Sequence, residues 1–136
     1  FDGIDIDWEY PGYAPHGGTA ADEANFVLLL RTVRSALDAL GGQMGRYYGL
    51  TAALPCGPEN IANQNLAEVA EVLDELNLMT YDFHGSWDVV TGHNAPLYDQ
   101  PRDFEAGWSV HGCVENWVGS NSNNPLKEEH RSKVNI

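Results

Sequence analysis

The chain has 136 residues, 43% apolar and 20% charged, with no low-complexity tract, which is the profile of a folded globular chain rather than a disordered or fibrous one. Seven basic residues against twenty acidic ones leave a net charge of −13, which disfavours nucleic acid as a partner because such binding needs a basic footprint. The longest apolar run, Phe26 to Leu30, is far short of the ~20 residues that span a membrane, so no membrane partner is expected.

The chain opens on Phe1-Asp2-Gly3-Ile4-Asp5, which reads as the middle of a strand. The first predicted element is a strand over Phe1 to Trp8, where Ile4 and Ile6 alternate with Asp5 and Asp7. A loop punctuated by Pro11, Gly12, Pro15, Gly17 and Gly18 follows. Thr19, three residues before Asp22, is the expected N-cap of a helix. Phe26, Leu29, Leu30, Val33, Leu37 and Leu40 give that helix one apolar stripe, and Gly41-Gly42 is its expected stop. Tyr47 to Leu54 reads as the second strand, closed by Pro55. A helix over about Leu66 to Val72 carries Asn65 as its cap, and a third strand runs roughly from Asp74 to Phe83. A polar loop from Gly85 to about Gly107 precedes a short helix capped by Ser109 and carrying Val110, Val114, Trp117 and Val118. A second polar loop, Gly119 to Ser132, leads to Lys133-Val134-Asn135-Ile136, the start of a fourth strand. Both ends therefore read as cut, and a missing signal peptide says nothing about secretion.

The order β-α-β-α-β-loop-α-β implies parallel strands with helices packed outside them. An open doubly wound sheet or part of a (β/α)8 barrel fits. A complete barrel takes ~250 residues, so this chain would be about half of one. Cys56 and Cys113 lie far apart, match no metal spacing, and read first as buried free thiols, with a disulfide as the alternative.

Asp5, Asp7 and Glu9 are spaced by two, which on a strand puts three carboxyls on one face. Ile4, Ile6 and Trp8 point the other way, where a helix can cover them. In a barrel the acids would line the lumen, with Glu9 nearest the end where barrel enzymes do chemistry. Three adjacent carboxyls cannot all ionise freely, so at least one pKa is pushed up and the outermost acid can keep its proton near neutral pH. That suits a general acid. The first basic residue in sequence is Arg31, on the helix, so no near neighbour neutralises the run. A charged edge strand in water and a hard-cation site are the alternative readings. No HExxH, CxxC or phosphate-loop pattern occurs, so no metal or other cofactor is implied.

The run Asp2-Gly3-Ile4-Asp5-Ile6-Asp7-Trp8-Glu9-Tyr10-Pro11 resembles the DGxDxDWEYP form of the signature of family 18 chitinases. Met79-Thr80-Tyr81-Asp82-Phe83-His84-Gly85-Ser86-Trp87 resembles the family's MTYDFHG segment on barrel strand six, and Thr91 to Tyr98 resembles the loop after it. Tyr47 to Pro55 is similar to strand five, and Lys133 to Ile136 to the start of strand seven. The resemblance thus implies an α/β chain forming a partial (β/α)8 barrel, roughly strand four to the start of strand seven, within a single catalytic domain over residues 1–136.

The same resemblance implies roles. Glu9 would be the acid and then the base, Asp7 would hold the substrate's acetamido N–H, Asp5 would share a proton or hydrogen bond with Asp7, and Tyr81 would donate its hydroxyl to the acetamido group. Tyr10, Met79, Asp82 and Trp87 would contact the sugar. The implied activity is hydrolysis of chitin and N-acetylglucosamine oligomers by an extracellular monomer, retaining and substrate-assisted. The acidity then reads as a solvated surface, or as a cleft that tolerates partly deacetylated, cationic chains. A non-catalytic chitin-binding lectin of the same fold, or an endo-β-N-acetylglucosaminidase acting on glycoproteins, is the alternative. Met79 and Tyr81 also have plain packing readings, Trp8, Trp108 and Trp117 read as packing, and His84 is a tempting base whose work the resemblance gives to Glu9.

Overall fold

The computed structural model describes residues 1–100, 106–119 and 126–136. Its strands β1 (Gly3–Asp7), β2 (Gly49–Leu54), β3 (Glu75–Leu78) and β4 (Val134–Asn135) form one parallel sheet. Helices α1 (Asp22–Met44), α2 (Pro58–Ala62), α3 (Leu66–Val72) and α4 (Val110–Val118) connect them, with 3-10 turns at Ala14–His16 and Glu128–Lys133. The spatial order is β1-β2-β3-β4, the order of the sequence. A doubly wound sheet reverses its strand order at a switch point, and this one does not. Of the two architectures the element order allows, it has the winding of a barrel wall.

Strand parity divides the sheet into two faces. Leu50, Ala52 and Leu54 of β2 and Leu76 and Leu78 of β3 are buried on the helix side. Phe26, Val27, Leu30 and Leu37 of α1, with Leu66, Val69 and Ala70 of α3, cover them. Burying each large side chain contributes about 1.5–3 kcal/mol, so this layer carries most of the stability. The opposite parity holds Asp5, Asp7, Thr51, Ala53, Glu75, Asn77 and Asn135.

Several boundaries differ from the sequence expectation. Thr19 does not cap α1, whose N-cap position is Ala21. Asp22 instead reaches back, its Oδ2 accepting the N–H groups of Thr19 at 2.9 Å and Gly12 at 3.1 Å. These two bonds hold its carboxyl below the usual range. The helix also runs through Gly41-Gly42 to Met44 and ends where Gly45 turns left-handed at φ 66°. Glycine weakens a helix by only ~1 kcal/mol, whereas the left-handed cap demands it. Gly41 serves the chain reversal, since a Cβ there would meet the Arg46 carbonyl oxygen at 2.5 Å. Leu29 and Leu40, placed on the expected stripe, are 38% and 42% exposed, and Val27 is buried in their stead.

Sequence reading misses α2, although Gly57 followed by Pro58 at the first helical position is a start signal. Asn65 and Ser109 do cap α3 and α4, accepting the N–H groups of Glu68 and Gly112. The third strand is shorter than Asp74 to Phe83 because the chain turns after Met79, where Thr80 N–H bonds the Leu78 carbonyl and Asp82 adopts φ 57°. The second and first strands also begin later than expected, at Gly49 and Gly3. The Gly119 to Ser132 loop lies partly outside the described residues, and its latter part is the 3-10 turn.

The free-thiol reading of the cysteines is wrong. Cys56, just past β2, and Cys113, in α4, form a disulfide, and both are buried. Spacing in sequence says nothing of the return of α4 to the end of β2, which is what brings the pair together. Four residues after Cys113, Trp117 is fully buried and its Nε1–H donates to the Pro55 carbonyl at 2.9 Å. No helix among the described residues is long and apolar enough to cross a membrane.

Candidate active site

The carboxyl ends of the strands carry the chemistry-bearing side chains. Asp5 and Asp7 occupy the inner parity of β1, and Glu9 stands two residues beyond the strand, exposed. The Glu9–Tyr10 peptide is cis. The loop behind Glu9 is tied down at several points. The ring Nδ1 of His16 donates to the Glu9 carbonyl at 3.0 Å, Tyr13 meets both the Tyr10 and His16 rings edge-on, and Asp22 grips Gly12 and Thr19. The backbone that presents Glu9 is therefore anchored to α1, not left to loop motion.

Five of the expected site residues form one electrostatic cluster. Burial, and then the charges of Glu9 and Asp5, hold the Asp7 carboxyl above its ordinary range. Burial, and then the Glu9 carboxylate as hydrogen-bond partner and neighbouring charge, push the Tyr10 phenol well up, with smaller contributions from Asp7 and Tyr81. The carboxyl held up in this row is that of Asp7, the middle acid. Its position adds to the effect of burial, since Asp7 has a negative neighbour on either side along the chain.

The acidic run is also not free of bases. Arg46 pairs with Asp2, holding that carboxyl below its usual range through a hydrogen bond and then through its charge. Sequence distance hides this, since the two are 44 positions apart. The parallel register Gly3↔Gly49 brings them side by side. The Asp5 carboxylate has neutral partners: its Oδ1 accepts the Thr51 hydroxyl from β2 and, at 3.4 Å, the Asn77 amide from β3. Sequence reasoning singles out neither residue. The signal lay in parity, because Thr51 and Asn77 are polar positions between buried apolar ones on their strands.

Met79 is half-buried and continues the β3 ladder, its N–H donating to the Leu54 carbonyl at 2.9 Å. Tyr81 is 53% exposed and lies near Tyr10. Asp82 turns towards the next loop, where its Oδ1 accepts the Asn94 amide at 2.8 Å. The Trp87 ring is exposed and lies over Gly85. Trp8 packs edge-on against Phe26 of α1, and Trp108 against Phe83, as their packing readings hold. The tempting base His84 lies 3.4 Å from Asp88, through Nδ1 and Oδ2. Among the described residues no three His, Cys, Asp or Glu side chains are grouped to hold a metal ion.

A parallel sheet wound in sequence order, with carboxyls at the carboxyl end of a strand, is the layout of a (β/α)8-barrel enzyme. The sequence matches the family model for glycosyl hydrolases family 18 over residues 1–136, and the chain belongs to that family. It is 47% identical over 108 residues to chitinase 1 of Aphanocladium album, covering 78% of this chain and 24% of that protein. It is 43% identical over 110 residues to chitinase A1 of Niallia circulans, covering 79% of this chain and 16% of that one. Among solved structures, a family 18 N-acetylglucosaminidase from Paenibacillus barengoltzii superposes with TM-score 0.83 at 40% identity, over 98% of this chain and 38% of that one. The chain thus spans about a quarter or less of the length of these two curated relatives. Its fold is part of the barrel of family 18 enzymes.

Proposed function

We propose that the protein carrying this chain hydrolyses β-1,4-linked N-acetylglucosamine polymers by a retaining, substrate-assisted mechanism, and that residues 1–136 are part of its single catalytic domain. The observation that carries this reading is the coupled row Asp5, Asp7 and Glu9 at the mouth of the sheet, with Tyr10 and Tyr81 beside it. Glu9, the exposed and outermost acid, protonates the leaving glycosidic oxygen and later takes a proton from water. The substrate's own 2-acetamido oxygen attacks the anomeric carbon, so no enzyme nucleophile is needed. Asp7 accepts the acetamido N–H. Its raised proton affinity makes it a stronger acceptor as that N–H becomes acidic and positive charge develops. Asp5 supplies the charge behind Asp7, Tyr81 donates to the acetamido oxygen, and Tyr10, Met79, Asp82 and Trp87 border the sugar.

A chitin-binding lectin of the same fold and an endo-acting glucosaminidase on glycoproteins are the competing readings. Retention of Glu9, Asp7, Asp5 and Tyr81 together favours an enzyme over a lectin. Names of the relatives favour chitin over glycoprotein. We further place the protein outside the cell, as a monomer. Its buried disulfide supports an oxidising compartment, where such bonds persist. The deciding experiment assays the full-length protein on N-acetylglucosamine oligomers and on matched cellulose oligomers. Hydrolysis of the first and negligible hydrolysis of the second is expected. Equal rates on both would remove substrate assistance.

A further inference from the structure

Across the inner face of the sheet runs a ladder of polar side chains of which the proposed mechanism uses only Asp5. Thr51 of β2 lies directly opposite Asp5 in the β1–β2 register, and its hydroxyl donates to Asp5 Oδ1. Asn77 of β3 reaches the same oxygen through Nδ2 at 3.4 Å. Asn135 of β4, opposite Asn77 in register, donates its Nδ2 to Asn77 Oδ1 at 3.0 Å and to Glu75 Oε2 at 3.1 Å.

The polarity of this ladder follows from what each group can do. Asp5 and Glu75 are carboxylates at its two ends, and an ionised carboxylate only accepts. The Asn135 amide nitrogen must therefore face Glu75, and the same nitrogen serves the Asn77 oxygen. That leaves the Asn77 nitrogen facing Asp5. Thr51, in turn, gives its single proton to Asp5. Two neighbouring strands thus converge donors on one carboxylate oxygen, and that oxygen belongs to the residue whose charge acts on Asp7.

We propose that Thr51 and, behind it, Asn77 are positioning residues for the reaction: they anchor the Asp5 carboxylate against Asp7, and so fix where the shared proton resides when the acetamido group binds. This rests on the function proposed above. Neither residue touches substrate in this scheme; both act through Asp5. Other groups around the pair are Glu9 beyond β1, Glu75 on β3, and the Tyr10 and Tyr81 phenols. No side chain of the ladder itself is basic. Donors to a carboxylate favour its charged form. Without them the doubly charged Asp5–Asp7 pair is less well supported and taking up a proton is favoured. The acidic limb of the rate profile then moves to higher pH.

The test uses the full-length protein carrying this chain and a fluorogenic N-acetylglucosamine oligomer. Thr51→Val keeps the shape and loses the hydroxyl, Thr51→Ser keeps the hydroxyl, and Asn77→Leu removes the amide. Loss of one hydrogen bond to a charged group lowers kcat by about tenfold or more, with KM changed much less. Thr51→Val is expected to show this, together with an acidic limb displaced upward by about half a pH unit or more, consistent with a tenfold effect per unit. Thr51→Ser is expected to restore both, and Asn77→Leu to move the limb the same way by less. A Thr51→Val enzyme with an unmoved limb and normal kcat overturns the positioning role alone. If Thr51→Val fails to fold, Asn77→Leu and Asn135→Ala, which frees the Asn77 amide, decide by the same profile. A wild-type protein that leaves the oligomer intact overturns the proposed function, and the positioning role with it.

Discussion

Removing the Cys56–Cys113 disulfide should cost this part of the barrel a large share of its stability. The bond closes a 57-residue stretch that contains α2, α3, β3 and the long loop carrying Met79, Tyr81 and Trp87. On the chain-entropy account a cross-link of that span restricts the unfolded chain by about 4 kcal/mol at 25 °C. Measured against a typical total of 5–15 kcal/mol, that is a large share. The substitution to use is Cys56→Ala with Cys113→Ala. Serine would bury two hydroxyls, since the two residues are 4% and 0% exposed, and each unpaired hydroxyl would add about 1–3 kcal/mol of its own. Urea unfolding of the oxidised protein, the dithiothreitol-reduced protein and the double alanine variant should give a midpoint that falls alike in the last two. The Trp117–Pro55 hydrogen bond still ties α4 to the end of β2 when the sulfurs are gone, so the folded structure is expected to persist at low denaturant. Equal midpoints for oxidised and reduced protein, or two titratable thiols in the untreated native protein, would refute the reasoning.

Glu9→Gln in the full-length protein is expected to lower turnover by roughly 10²–10⁴-fold while sugar binding stays near normal, because an amide keeps the shape but carries no transferable proton; kcat and a binding isotherm check it. Asp22 has a folded pKa held below its unfolded value of 3.8, so its contribution is present above that value and is lost as pH falls through the folded pKa. Asp22→Asn is expected to flatten the acid-side stability profile in that window, and unchanged acid unfolding would count against the Gly12 and Thr19 bonds. Leu76→Ala, on the helix face of β3 and fully buried, is expected to cost about 2–5 kcal/mol with kcat of the folded enzyme little changed, read from a denaturation curve and a rate on the same sample.

Much of the fold was legible because it depends on local pattern. Strand parity in Gly3–Asp7, helical spacing from Phe26 to Leu37 and the caps Asn65 and Ser109 are short-range signals, and the elements form where those signals place them. The candidate acids were legible for the same reason: Asp5, Asp7 and Glu9 stand in one run of five residues. What was not legible depends on pairing between distant segments. Arg46 beside Asp2, Cys113 beside Cys56 and Thr51 beside Asp5 are separated by 44, 57 and 46 positions, and no periodicity connects them. Each follows at once from the parallel register or from the return of a helix. The register also supplies the partners of Asp5, the acid beside Asp7. In the sheet, Asp5 is supplied with donors from two neighbouring strands, so its charge is well accommodated and bears on the next acid along the same face. The central acid is held up by burial and by the charges of its own neighbours Glu9 and Asp5, and β2 and β3 reach it only through the donors they give Asp5. A chain of this kind keeps its acids tuned only while those strands stay in register: a slip of one residue would replace Thr51 and Asn77 with leucine or alanine and turn the donors into the core.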